Sequence, residues 1–175
     1  MLKQPLRICL YCLFLPALAG CGGREGPPAQ IETRPLEKGK AEAIIEEMLA
    51  ERGYSWDRGV PVQVAGGIEF NADFRVRDQA IAIEYLTDED RQRIGPIPPA
   101  AEGSRLHVIV GRTVSGNGSI PSRVYVFFID DRKFVYHSNP TSEVRADVTF
   151  LEVDSRLRRD MADFLSWYEN SGKKR

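Results

Sequence analysis

Cysteine and histidine are scarce in this 175-residue chain, and the scarcity narrows its chemistry at once. Of three cysteines, Cys9 and Cys12 fall in an apolar run near the N-terminus, which leaves Cys21 as the one thiol beyond it. A single cysteine closes no internal disulfide and builds no thiolate metal site. Only two histidines are present, His107 and His137. An excess of charge of one sign is also missing, with 24 basic residues against 25 acidic ones. Nothing in that balance draws the domain onto nucleic acid or anionic lipid. Long hydrophobic runs are absent too: residues 8–19 make about a dozen apolar positions, where a membrane-spanning helix needs roughly 20. No Gly-x-Ser-x-Gly, His-Glu-x-x-His or dinucleotide fingerprint occurs.

What is present begins at the N-terminus. Lys3 and Arg7 precede the apolar run ICLYCLFLPALA, and small residues close it. A charged start, a short apolar stretch and a small-residue end form the pattern of a secretory signal. Its end reads in two ways. Ala17-Leu18-Ala19 fits ordinary signal cleavage, whereas Leu18-Ala19-Gly20-Cys21 resembles the lipobox of bacterial lipoproteins. That resemblance covers the first two dozen residues and implies cleavage before Cys21, which would carry a thioether-linked diacylglycerol and an acylated amine. Each buried acyl CH₂ contributes about 0.8 kcal/mol, so two or three chains anchor stably where one is marginal. Acylation would also remove Cys21 from the candidates for a nucleophile. Gly22 follows, where enterobacterial lipoproteins retained in the inner membrane typically have Asp. The resemblance therefore favours the outer membrane.

Three segments follow: a signal peptide over 1–20, a flexible tether over 21–35 and a single globular domain over 36–175. Without Lys3 and Arg7 the formal charge falls from −1 to −3. The tether GGREGPPAQIETRP has no hydrophobic periodicity, and roughly 14 flexible residues reach about 20 Å. The spacing of Ala41, Ile44, Ile45, Met48 and Leu49 then predicts a helix over 36–52, closed by Gly53. Alternation predicts strands over 68–76 and 80–86. Thr87 and the acids after it start a short helix that Gly95-Pro96 ends. Further strands are expected over 106–111, 123–130 and 133–137, the last two as a hairpin around Asp131-Arg132. A final helix is expected over 151–169, with Val153, Leu157, Met161, Phe164, Leu165 and Tyr168 as its apolar stripe. Tight turns between successive strands point to an α+β fold with an antiparallel sheet of about five strands, flanked by the N- and C-terminal helices.

Each polar group with catalytic potential has a plain structural reading beside it. His137 precedes Ser138-Asn139-Pro140-Thr141-Ser142-Glu143, a string that suits a general base and equally suits a turn. His107 centres an apolar strand, where a hydrogen-bonded structural role is the simpler account. Asp130-Asp131 suits a hairpin tip, and Asp88-Glu89-Asp90 suits a helix start better than a cation loop. Ser115-Gly116-Asn117-Gly118-Ser119 lacks the Gly-Lys-Ser/Thr ending of a phosphate cradle and reads as a loop. Arg156, Arg158 and Arg159 sit between Asp154 and Asp160, which suggests surface ion pairs. No catalytic residue, metal ligand or cofactor follows from these patterns. The expected role is a lipid-anchored envelope protein whose partner is another envelope protein or a second copy; the alternative is a small hydrolase using His137 with Ser138 or a nearby Asp. Tyr125, Phe127 and Tyr136 share one face of the expected hairpin and are its candidate partner surface, since tyrosine tolerates a half-wet interface.

Overall fold

The computed structural model describes residues 32–114, 122–138 and 143–172. Cys21 and everything else up to residue 31, residues 115–121, on which the expected loop falls, residues 139–142 and residues 173–175 lie outside that description. The fold is α+β. In chain order the elements are β1 (Glu32–Pro35), α1 (Lys38–Glu51), β2 (Trp56–Asp57), β3 (Val60–Val64), β4 (Glu69–Ala72) and β5 (Phe74–Val76). They continue with β6 (Ile81–Leu86), α2 (Asp88–Ile94), β7 (His107–Thr113), β8 (Arg123–Asp130), β9 (Val135–Ser138) and α3 (Glu143–Trp167).

The helices follow the local chemistry. In α1 the buried residues are the predicted stripe Ala41, Ile44, Ile45, Met48 and Leu49. Gly53 then takes φ +70° and donates its N–H to Ala50 O at 2.8 Å, a left-handed termination that costs glycine little. Thr87 caps α2 reciprocally: its hydroxyl accepts from Asp90 N at 3.1 Å, and Asp90 Oδ2 accepts from Thr87 N at 3.2 Å.

The sheet departs from the expected one. Seven strands run in the order β2-β5-β6-β8-β7-β3-β4, and a separate pair joins β1 to β9. The sheet is mixed rather than antiparallel, because β6 and β8 pair in parallel from Ile81↔Tyr125 to Leu86↔Asp130. These two are not successive strands, so the tight-turn reasoning never applied to them; α2 and β7 lie between them in the chain. The expected hairpin of 123–130 with 133–137 does not form. β8 already has β6 on one side and β7 on the other, which leaves no free edge for a third strand. The chain turns at Asp131–Lys133, and β9 pairs with β1 instead. Glu32–Pro35 therefore belong to the fold rather than to the tether.

Apolar cover lies on both faces. On one, α1 and α3 pack Ile45, Leu49, Leu157, Met161 and Phe164 against Ile83, Tyr85, Phe127 and Ile129. On the other, the β3–β4 hairpin curls back, so that Val62, Val64, Phe70 and Ala72 meet Ala82, Val124, Val126 and Phe128. Phe70 and Phe128 approach to 5.5 Å between ring centroids. At the bend β3 crosses β7 closely: a Cβ on Gly111 would stand 2.7 Å from Gln63 O. The register Gly111↔Val64 needs a residue without a side chain there.

Candidate functional site

The helical layer decides the fate of the aromatic set. Tyr125 is 4% exposed and Phe127 3%, so the two expected surface residues are core residues. Phe127 stacks on Phe164 at 4.6 Å, while Tyr125 meets Trp167 edge-on at 5.4 Å. Tyr136 is half-buried against Phe150 at 6.1 Å. The reason is that Phe164 and Trp167 of α3 lie across the face on which the hairpin was expected to be open.

Among the described residues neither histidine has a hydrogen bond or ion pair to a carboxylate. His107 Nε2 lies 2.7 Å from Pro98 O, and its ring packs on Phe128 at 5.4 Å. His137 is exposed, with Nδ1 3.2 Å from Thr33 Oγ1. The Ser138 side chain, like residues 139–142, is outside the described set. Asp130 and Asp131 both turn to Arg91, at 2.9 and 2.8 Å, and Arg91 also donates to Leu86 O at 3.0 Å and pairs with Asp88. Arg132 holds Asp130 at 2.6 Å. Arg91, Asp130 and Arg132 line a cleft of about 490 Å³ with Leu86, Ile97 and His107. Arg158 pairs with Asp154 at 3.1 Å and with Glu47, the expected surface ion pairing.

A charged cluster that sequence reasoning missed joins α1, α2 and the sheet. Pairing between β5 and β6 stops at Phe74↔Ile83, so Tyr85 N finds its acceptor in Asp73 Oδ2, at 2.7 Å. Asp73 N in turn donates to Glu84 Oε2 at 2.9 Å. Lys38, at the start of α1, reaches Asp73 at 2.8 Å and Asp90 at 2.9 Å; Arg93 holds Asp90 at 2.7 Å. Burial works against the Lys38 charge, but the bonds to Asp73 and Asp90 outweigh it and raise its pKa above the ordinary lysine range. For Asp90 the same burial is overcome by Lys38, Arg93 and Thr87, which hold the carboxyl down at about 2. Asp73 is raised, burial prevailing over its bond to Lys38. Glu84 is 0% exposed; burial and the neighbouring Asp73 push it up to about 8. Its Oε1 has no hydrogen-bond partner, with the Arg93 guanidinium 3.9 Å away. At neutral pH this carboxyl keeps its proton. The bonds of this cluster tie α1 and α2 to the sheet. The one visible signal was Glu84 itself, a lone acid inside the apolar run IAIEYL.

The remaining feature lies on the helical face of β7. α3 covers β8, but Leu106, Val108 and Val110 extend past it and, with Arg123, Tyr125 and Trp167, line an apolar groove of about 280 Å³. Val110 is 46% exposed, although the strand beside it is buried almost throughout. The Arg123 guanidinium lies 5.2 Å from the centre of the Tyr125 ring. The residues lining this groove include no nucleophile–base pair. Among the described residues no group of three histidine, cysteine or acidic side chains is arranged to hold a metal ion, and no helix is long and apolar enough to cross a membrane. Comparison with protein families, with curated proteins and with solved structures finds no match to this chain.

Proposed function

We propose that this protein is a lipoprotein of the bacterial cell envelope, held on the membrane by acyl chains on Cys21, whose domain binds another protein as an assembly, accessory or scaffolding factor. The lipobox-like Leu18-Ala19-Gly20-Cys21 directly after an apolar run supports the anchor, and Gly22 supports the outer membrane. The observation that carries the binding role is the groove beside β7, which no described residue covers. Apolar surface gains about 25 cal/mol for each Å² taken from water, so a strand face left open next to a finished core favours a cover. A second protein supplies one without any change in the fold.

The test has two arms. Cells grown with labelled palmitate should label the wild-type chain and not Cys21→Ser, which should also leave the membrane fraction. Crosslinking in intact cells, followed by sizing of the membrane extract, should then show the anchored chain in a complex of defined stoichiometry. An unlabelled chain with the mass of residues 20–175 would overturn the anchor. A labelled chain that runs as a lone monomer would overturn the binding role.

A further inference from the structure

We infer that β1 is a releasable strap, which peels from β9 as a unit while the rest of the fold stands, and that Leu36 and Lys38 stop the peeling. The inference goes beyond the proposed function and stands whether or not the domain binds a protein. Three observations converge on it. The first is how little holds β1. It pairs with β9 alone, in a two-stranded sheet apart from the seven-stranded one. Two strands without further cover are marginal in water. Thr33, Arg34 and Pro35 are exposed, and Pro35 brings no N–H to its pairing with Val135.

The second is what holds β9 when β1 leaves. Tyr136 meets Phe150 of α3 edge-on at 6.1 Å, and Val135 beside it is half-buried. The third is an abrupt stop. One residue past Pro35, Leu36 is 1% exposed; its N–H donates to Phe134 O at 2.8 Å, and its carbonyl accepts from the Tyr85 hydroxyl at 2.7 Å. Lys38 then pairs with Asp73 at 2.8 Å and with Asp90 at 2.9 Å. Drawing these residues out would expose an apolar core side chain and take a cation from two largely buried carboxylates. Local opening therefore runs through the weakly held segment and halts where burial begins. Release frees four residues, roughly 13 Å of chain, on the N-terminal side of the domain, toward Cys21 in the sequence. With lipid on Cys21, that slack lets the domain stand further from the bilayer without unfolding.

The test is amide exchange, followed by NMR on the full chain in detergent micelles at rising urea. Alternation from the Leu36–Phe134 bond makes Arg34↔Tyr136 the hydrogen-bonded pair of the strap, so Arg34 N–H is the probe. Arg34 should exchange at least a hundredfold faster than Ile83 and Phe127 of the central strands, at a rate nearly independent of urea. Leu36 and Ala41 should be at least tenfold slower than Arg34. Thr33→Cys with His137→Cys, opposite each other in the register, locks the strap once its bridge is confirmed by mass mapping. Oxidation of that variant should slow Arg34 at least tenfold, and reduction should restore it. Lys38→Met should move the stop, raising exchange at Ala41, whose N–H bonds Glu37 O, at least tenfold. Tyr85→Phe removes one hydroxyl only and tests the stop at Leu36 should Lys38→Met fail to fold, which circular dichroism checks. Equal protection of Arg34 and Ile83, or an equal urea dependence, would overturn the strap. An Arg34 rate that the bridge leaves unmoved would do the same. Leu36 and Ala41 keeping pace with Arg34 in the wild type, or staying unchanged in both folded variants, would overturn the stop.

Discussion

Replacing Glu84 with glutamine should flatten the dependence of stability on pH. In the unfolded chain the carboxyl titrates near 4.5, and in the fold near 8. Between those values the unfolded chain has released the proton and the folded chain has kept it. The folded state thus binds more protons, so stability falls as pH rises through this window. The favourable contribution is complete below pH 4.5 and lost once pH passes 8. At 1.36 kcal/mol for each unit of pKa, the whole excursion is on the order of 5 kcal/mol. Glutamine has the shape of the protonated acid, its amide oxygen can take the bond from Asp73 N that Glu84 Oε2 now accepts at 2.9 Å, and it has no proton to lose. Urea unfolding followed by tryptophan fluorescence from pH 5 to pH 9 measures the effect. Near pH 5 the two proteins should lie within about 1 kcal/mol, as isosteric polar swaps away from a lost bond do. Toward pH 9 Glu84→Gln should be the more stable by a few kcal/mol. A small slope should remain in the variant, because Asp73 is raised by the same burial. Parallel profiles, with a gap that does not change with pH, would refute the reasoning and mean that Glu84 is ionised beside Arg93 throughout.

Two further outcomes follow from the packing. Gly111→Ala places a methyl 2.7 Å from Gln63 O between two paired strands, and the backbone must yield; a loss of roughly 1–3 kcal/mol is expected in chemical unfolding. Tyr125→Ser combined with Phe127→Ser removes two rings from beneath α3, each worth roughly 3–5 kcal/mol, so the double variant should lose cooperative unfolding rather than a surface function. A double variant that melts with the wild type would return those residues to the surface.

Local pattern carried a long way in this chain. The apolar stripes of α1 and of the second half of α3, the termination at Gly53 and the Thr87 cap depend on neighbours within a few residues, and each stands where the sequence placed it. Periodicity likewise marked β6, β7 and β8 as strands, but it read 68–76 as one strand where the structure has two, β4 and β5, parted at Asp73 and placed apart in the sheet. It passed over β3, whose Pro61 and short length weaken the alternation, and β1, whose partner β9 lies about a hundred residues away along the chain. Residues 143–150 start α3 earlier than the apolar stripe announced.

Pairing and cover were decided only in three dimensions. Whether β8 takes β9 or β6 as its neighbour depends on which edge is free when the sheet assembles, and no residue of β8 encodes that choice locally. An alternating strand has two faces, but alternation does not say what lies over either one. Here α3 covers the first and the curling β3–β4 hairpin the second, which made a core of Tyr125 and Phe127 and left Val110 at the margin. The charged tie has the same origin: Lys38 is far in sequence from Asp73, Glu84 and Asp90, and only the early end of β5 and the seat of α2 bring the tied groups within hydrogen-bond reach. The sequence by itself determined the elements whose periodicity is local, α1, α2, β6, β7, β8 and the second half of α3; the tertiary structure decided which faces are buried, because burial depends on segments far away along the chain.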